Sequence, residues 1–309
     1  MNYSPIALFV YSRLTHTCQT VESLQKNSLA SQSDLIIFSD APKTEAQAEA
    51  VSQVREFIHQ VDGFKSVTIV ERKANFGLAK SIIDGVTSIV NSRGRIIVLE
   101  DDLVVTPHFL EFMNYALDKY ETEQQVVQVS GYMFPINVEI EEDVLFLPLT
   151  TSWGWATWKR AWRQFDPDAK GYARVKADLA LRKRFNLDGA YDYFSMLEAQ
   201  LAGRVDSWAV RWQLSAFLSE SLTVYPRYSL VVNAGFDGSG THGAMDGLLS
   251  RSWAKIAFSP EKFPKEIKVS DSWKDVCRNL ENRRTVFDRI KRRVYLFISS
   301  LIKGGEMSK

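Results

Sequence analysis

The sequence predicts an α/β protein whose mostly parallel sheet is covered by helices. Three observations carry that expectation. Strand-like and helix-like segments alternate through the first half; the strand-like segments are short apolar runs; and 309 residues with 45% hydrophobic content suffice for a large core. "PIALFVYS" is the first strand, followed by a helix with Cys18, Val21 and Leu24 on one side. "DLIIFSD" is the second, and the next helix sets Ala50, Val54, Phe57, Ile58 and Val61 on one face. "SVTIVER" is the third, before a helix with Leu78, Ile82, Val86 and Ile89 at helical spacing. "RIIVLE" is the fourth, and Pro107 opens a helix turning Phe109, Phe112, Met113, Ala116 and Tyr120 inward. After "VVQVS" near residue 126 the rhythm breaks. "VLFLPL" and "LTVYP" read as strands, and the stretches around 155–164, 174–184, 190–202 and 207–219 as helices. No Gly-, Pro- or Ser-rich linker separates the halves, so they are expected to share one sheet.

Composition and charge exclude several classes. Cys18 and Cys277 are the only cysteines, which argues against a disulfide framework or a Cys-based zinc site and for a reduced, cytoplasmic setting. "MNYSPIALFVYSR" does not read as a signal peptide, and no apolar run reaches membrane-spanning length. From Arg278 to Lys303, eight basic residues against Glu281 and Asp288 give +6; with a net charge of +1, the rest carries −5. A mildly acidic body with a basic tail is not the profile of a nucleic-acid binder. In that tail Val286, Ile290, Val294, Phe297 and Leu301 share one helical face flanked by Arg289, Lys291, Arg292 and Arg293, a pattern suited to an anionic membrane surface.

The chemistry concentrates where the fourth strand runs into Glu100-Asp101-Asp102. Three adjacent carboxylates repel one another, so a positive partner is expected: a divalent metal, a nearby Arg, or else plain solvent at a loop tip. Ligands of open α/β sheets bind at the carboxyl ends of the strands, so Arg13 after the first strand and Ser39-Asp40 after the second should converge on the same crevice. Hard oxygen ligands there suit Mg²⁺ or Mn²⁺. The bland readings are a cap for Asp102, a salt bridge for Arg13 and a turn for Asp40 ahead of Pro42.

These stretches, "VYSR", "FSDAP", "NFGLAKSIIDGV" and above all "LEDDLVVTPHFLEF", resemble GT-A glycosyltransferases. The resemblance is nearest to the N-acetylglucosaminyltransferase that starts complex N-glycan branching and to bacterial polysaccharide (family-2-like) transferases, and it covers residues 5–135 best. It implies a GT-A fold with a helical C-terminal tail. Residues 1–130 would form the nucleotide-sugar-binding half, 131–250 the acceptor half and 251–309 an extension with a basic amphipathic helix. It implies that Asp102 ligates Mn²⁺ or Mg²⁺, that Glu100 and Asp101 bond the ribose or the transferred sugar, and that Arg13 and Asp40 hold the base or diphosphate of a donor, a UDP-sugar being favoured. Lys80 would reach a phosphate, although a solvated helix face is an equal reading.

Displacement at an anomeric carbon also needs a carboxylate to take the acceptor's proton. Asp206, in "GRVDSWAVRWQL", matches an Asp-x-Trp setting in the same family and is the first choice; its bland reading is a helix N-cap. Glu198 is the second. In "LTTSWGWATWKRAW", Gly154 permits close approach of backbone and Trp155 would stack on a sugar, whereas Trp158 and Trp162 read as core. "NAGFDGSGTH" reads as a loop over the diphosphate, with His242 on the metal or a phosphate oxygen. The reading is therefore a metal-dependent, inverting glycosyltransferase, hexosyl- or N-acetylhexosaminyl-, acting in surface polysaccharide assembly. Its acceptor would be a glycan or lipid-linked glycan, and its place the cytoplasm or the inner face of the plasma membrane. The rival is a non-catalytic glycan-binding or scaffold protein on the same fold. A sugar nucleotidyltransferase would need glycine after the first strand, and "YSRLTHTC" has none.

Overall fold

The structure, a computed structural model, describes residues 3–137, 139–235 and 257–282. Its first half is the expected alternation: β1 (Ile6–Val10), α1 (Leu14–Gln25), β2 (Asp34–Ser39), α2 (Ala48–Ile58), β3 (Ser66–Glu71), α3 (Leu78–Arg93) and β4 (Arg95–Glu100). A short β5 (Leu103–Val105), α4 (Phe109–Lys119) and β6 (Val126–Ser130) follow. The second half supplies β7 (Val144–Leu147), β8 (Trp155–Trp158), α5 (Lys159–Trp162), α6 (Tyr172–Ala177), α7 (Leu179–Phe185), α8 (Tyr193–Leu201), α9 (Trp208–Leu218), β9 (Leu222–Pro226) and β10 (Val231–Asn233). Helix α10 (Trp273–Asn282) comes last among the described residues.

Eight strands form one sheet in the order β3-β2-β1-β4-β8-β6-β9-β7, so both halves of the chain share it. The β3-β2-β1-β4 block is parallel throughout, and β6 pairs β9 in parallel; β8 and β7 run antiparallel to their neighbours. Strands β1 and β6 are buried along their whole length; β1 reads as an unbroken apolar run, whereas β6 buries Gln128 and Ser130 among its valines. The helices bury narrow stripes against the sheet: Val51, Val54 and Ile58 on α2, and Ile82, Val86 and Ile89 on α3. Helix α3 stops at Gly94, whose left-handed φ of 82° ends the helix without a Cβ penalty.

The structure departs from the sequence expectation at three places. Leu78 was placed on the inner face of α3 but is 49% exposed, because the buried stripe begins at Ala79. The stretch from Trp155 is not helical from its start. Its first four residues form β8, which pairs with both β4 and β6, and only Lys159–Trp162 turn into helix. Aromatic residues suit a doubly buried strand, and packing between two strands decides the conformation here. Finally, β5 and β10 make a two-stranded antiparallel ribbon that the sequence reading did not foresee, pairing Leu103 with Asn233. Helices α6 to α9 gather their own apolar cluster, with Phe185, Phe194, Leu197, Val210 and Leu214 at its centre. Among the described residues, no helix is long and apolar enough to cross a membrane. The basic tail from Arg283 onward lies outside the described residues.

Candidate active site

The strand order reverses between β1 and β4: β2 and β3 lie to one side of β1, and β4 to the other. At such a switch point, loops leaving the two strands diverge and open a crevice at their carboxyl ends. Arg13 follows β1, and Asp101 follows β4, so the crevice brings together residues 88 positions apart. The Arg13 guanidinium donates to the carboxylates of both Asp101 and Asp102, through the same Nη2, with the Asp102 contact at 2.9 Å. Of the positive partners the sequence called for, this structure supplies the arginine.

The acid turn is anchored from below. Thr20 of α1 donates through Oγ1 to the Asp101 carbonyl (2.8 Å), and the Val105 amide donates to Ser23 Oγ (3.0 Å). The β5–β10 ribbon then returns the chain over the turn, where the Ala234 amide donates to the Asp102 carbonyl (2.8 Å) and the Gly235 amide to Asn233 Oδ1 (2.8 Å). A Cβ on Gly235 would run into Asp102 Oδ2 and lie 3.0 Å from Arg13 Nη1. Only glycine lets backbone pass so near the ion pair.

Burial separates the three acids electrostatically. The Glu100 carboxyl is pushed up to about 8 by burial, with Asp102 and Asp101 adding repulsion that Arg13 only partly offsets. It has no hydrogen-bond partner among the described residues. Asp101, 4% exposed, also titrates above its ordinary range because burial outweighs the pull of Arg13. Burial works against the charge on Arg13 too, but the Asp101 and Asp102 charges overcome it and raise its pKa further.

Asp40 is close in the fold but committed elsewhere. Its oxygens accept from the amides of Ala41 (2.9 Å), Phe76 (2.9 Å) and Gly77 (2.8 Å) and from Asn75 Nδ2 (3.2 Å). It therefore ties the end of β2 to the loop that starts α3, supplying the cap that Gly77 lacks. Asp40, expected to hold the base or diphosphate, spends its oxygens on these contacts in the described fold. Lys80 sets its ammonium 4.1 Å from the centre of the Phe76 ring, on whose other contacts Arg72 lies at 4.6 Å. The residues that define this corner, Arg72, Asn75 and Phe76, were not named as site residues; the signal was the Asn-Phe-Gly ahead of α3.

Asp206 lies beside the start of α3. Its Oδ2 is 3.6 Å from where a Gly77 Cβ would be, which brings the segment leading into α9 to the Asp40–Phe76 corner. The cap of α9 is Ser207, whose Oγ accepts from the Val210 amide, so the capping role considered for Asp206 falls to its neighbour. Asp206 keeps a 62% exposed side chain, with Arg211 Nη2 3.6 Å away. Glu198, the second choice, lies on α8. It accepts from Tyr172 Oη (3.0 Å) between α6 and α8.

Trp155 also needs correction. It is 0% exposed, stacked 4.9 Å from Trp208, and has no face to offer a sugar, because β8 carries it into the sheet core. Trp158 and Trp162 are core residues, at 2% and 5% exposure, as the sequence reading held. Gly154, at φ 62°, fits where a Cβ would meet Val231 at 2.8 Å; it lets the chain enter β8 against the β10 ribbon. His242 lies outside the described residues, as does most of the loop containing it.

Among the described residues, no three His, Cys, Asp or Glu side chains gather as a ready-made metal site. A hard divalent cation that takes its other ligands from water and phosphate needs only one or two carboxylates. Asp102 fits that requirement: its carboxylate is at the crevice, and the cation already on it is the Arg13 guanidinium.

The layout is GT-A-like: a β3-β2-β1-β4 parallel block, a mixed extension, and acids at the end of the fourth strand. Among solved structures, the chain is similar to S. aureus TarS 1–349, at 9% identity and a TM-score of 0.42, over 75% of this chain and 60% of that one. It is similar to the mannosyltransferase PcManGT from Pyrobaculum calidifontis in complex with GDP-Man and Mn²⁺, at 13% identity and a TM-score of 0.38, over 70% and 75% of the two chains. Mouse xyloside xylosyltransferase 1 matches at 13% identity and a TM-score of 0.33, over 71% and 82%. The chain spans only 30% of the length of the longer S. aureus TarS chain that it also matches. These are likenesses of fold alone. No family model matches the sequence, and no curated protein does.

Proposed function

We propose that the protein is a glycosyltransferase that moves a sugar from a nucleotide-diphosphate donor, a UDP-sugar being favoured, to a hydroxyl of a glycan or lipid-linked glycan. The observation that carries the reading is the Arg13–Asp101–Asp102 constellation at the β1/β4 switch point, with the exposed Asp206 carboxylate set beside Gly77 at the start of α3. The acids and Arg13 belong to the donor side, and Asp206 to the acceptor side. In an inverting transfer, Asp206 accepts the acceptor hydroxyl's proton as that oxygen bonds to the anomeric carbon. The bond to the diphosphate breaks in the same step, and its electron pair leaves with the phosphate oxygen. Mn²⁺ or Mg²⁺ on Asp102 would supply charge neutralisation to that leaving group. Glu100, raised towards neutrality, is suited to donate a hydrogen bond to a ribose or sugar oxygen. Surface polysaccharide assembly is the setting proposed, with 1–130 as donor half, 131–250 as acceptor half and the basic tail as a contact to an anionic membrane.

One observation favours the rival, non-catalytic reading: Arg13 already neutralises two of the acids. Glu100 stays outside that pairing, and Asp206 keeps an exposed carboxylate, which is why the enzymatic reading is preferred. A panel of nucleotide-sugars incubated with the protein, with and without Mn²⁺, separates the two. The transferase reading predicts slow hydrolysis of one donor class, and none of any donor would leave the scaffold reading in place.

A further inference from the structure

The arginine that bridges the acid pair has a consequence for the order in which ligands enter. We propose that Arg13 is an internal counter-ion that holds Asp102 until metal and donor arrive together, so that a divalent cation on its own binds weakly. The inference rests on the proposed reading of Asp102 as the metal-bearing residue. One guanidinium nitrogen serves both carboxylates, so any cation approaching Asp102 Oδ2 must take the place Arg13 Nη2 holds at 2.9 Å. The Gly235 backbone closes the other side: a side chain there would strike Asp102 Oδ2. The guanidinium cannot simply step aside unpaired, because a half-buried charge without a partner is costly. A nucleoside diphosphate removes that obstacle. It brings negative charge that a released Arg13 can pair with, in the bidentate way guanidinium groups bind phosphate. The same charge offsets the repulsion between the entering cation and Arg13.

Mn²⁺ binding to the full chain, read by electron paramagnetic resonance of the free ion, tests this without turnover. In Arg13→Gln, Mn²⁺ alone is expected to bind at least about tenfold more tightly than to the unaltered protein. Adding UDP should tighten Mn²⁺ binding strongly in the unaltered protein and much less in Arg13→Gln. Combining Arg13→Gln with Asp102→Asn should remove the gain. Where Arg13→Gln does not fold, Arg13→Lys keeps the charge but loses the fork, and a smaller rise of at least about threefold is expected. Equal Mn²⁺ affinity in the unaltered and Arg13 variants would overturn the counter-ion role while leaving the metal reading standing. Mn²⁺ binding to none of them, with or without UDP, would overturn both.

Discussion

Asp206 and Asp40 stand at one corner of the crevice, yet their oxygens are in opposite conditions. Asp40 spends its lone pairs on three amides and an Asn; Asp206 has one loose arginine contact and is otherwise open. Replacing Asp206 by Asn should therefore lower turnover by about 10²-fold or more, the span a positioned general base supplies, with little change in donor affinity. Steady-state kinetics on the donor that emerges from the panel would read both, and unchanged turnover would remove the base. Glu100 gives a pH-dependent prediction. Its carboxyl titrates near 4.5 when unfolded and at about 8 in the fold. Between those values the folded chain keeps a proton that the unfolded chain has released, so stability is lost as pH rises through the window. Glu100→Gln removes that loss. Metal-free Glu100→Gln should match the unaltered protein in stability near pH 5 and exceed it near pH 8, by on the order of 1–3 kcal/mol. Denaturant midpoints at the two pH values decide it; a difference that does not grow with pH contradicts the burial argument. At this scale the sequence was partly legible. The acid triplet and Arg13 announced themselves because unpaired charge needs a partner. Asp40's inward turn did not, since its partners are backbone amides, which no sequence pattern displays.

At the scale of elements, the loop between β3 and α3 depends on Asp40. Helix α3 starts at Gly77 with no side-chain cap of its own, and the amides of Phe76 and Gly77 point at a carboxylate from the neighbouring strand. Asp40→Ala would strand those donors in a half-buried setting and should cost about 1–3 kcal/mol in chemical denaturation. Asp40→Asn, which keeps one acceptor oxygen, should cost less. Equal, negligible losses would mean that water replaces the carboxylate freely. The elements themselves show why sequence reading succeeded in one half and faltered in the other. Strands β1 to β4 are separated by helices whose apolar stripes repeat at helical spacing, so each switch of period marks a boundary. Around Trp155 the residues are apolar and aromatic without a period, and contact with β4 and β6 made them a strand. The β5–β10 ribbon joins three-residue strands more than a hundred positions apart, a pairing beyond any local signal.

On the scale of the whole molecule, the sheet ties the two halves of the chain into one body. Strand β8, from the second half, lies between β4 and β6, and β9 continues the sheet beyond β6. A fragment of residues 1–130 would leave the apolar edge of β4, Ile96 to Leu99, unpaired, and such an edge invites association. It should aggregate or lack dispersed amide resonances; a well-dispersed, monomeric spectrum would show the halves to be independent. The arrangement places a cationic partner and two carboxylates at the point where the parallel block changes direction, and an exposed carboxylate beside Gly77. The most direct measurement of what that is for is calorimetric titration of the full chain with its donor nucleotide, with and without Mn²⁺, before and after Asp102→Asn. Binding that strengthens with Mn²⁺ and loses that gain in Asp102→Asn is the predicted result. Binding indifferent both to Mn²⁺ and to the substitution would contradict the role given to the acid turn.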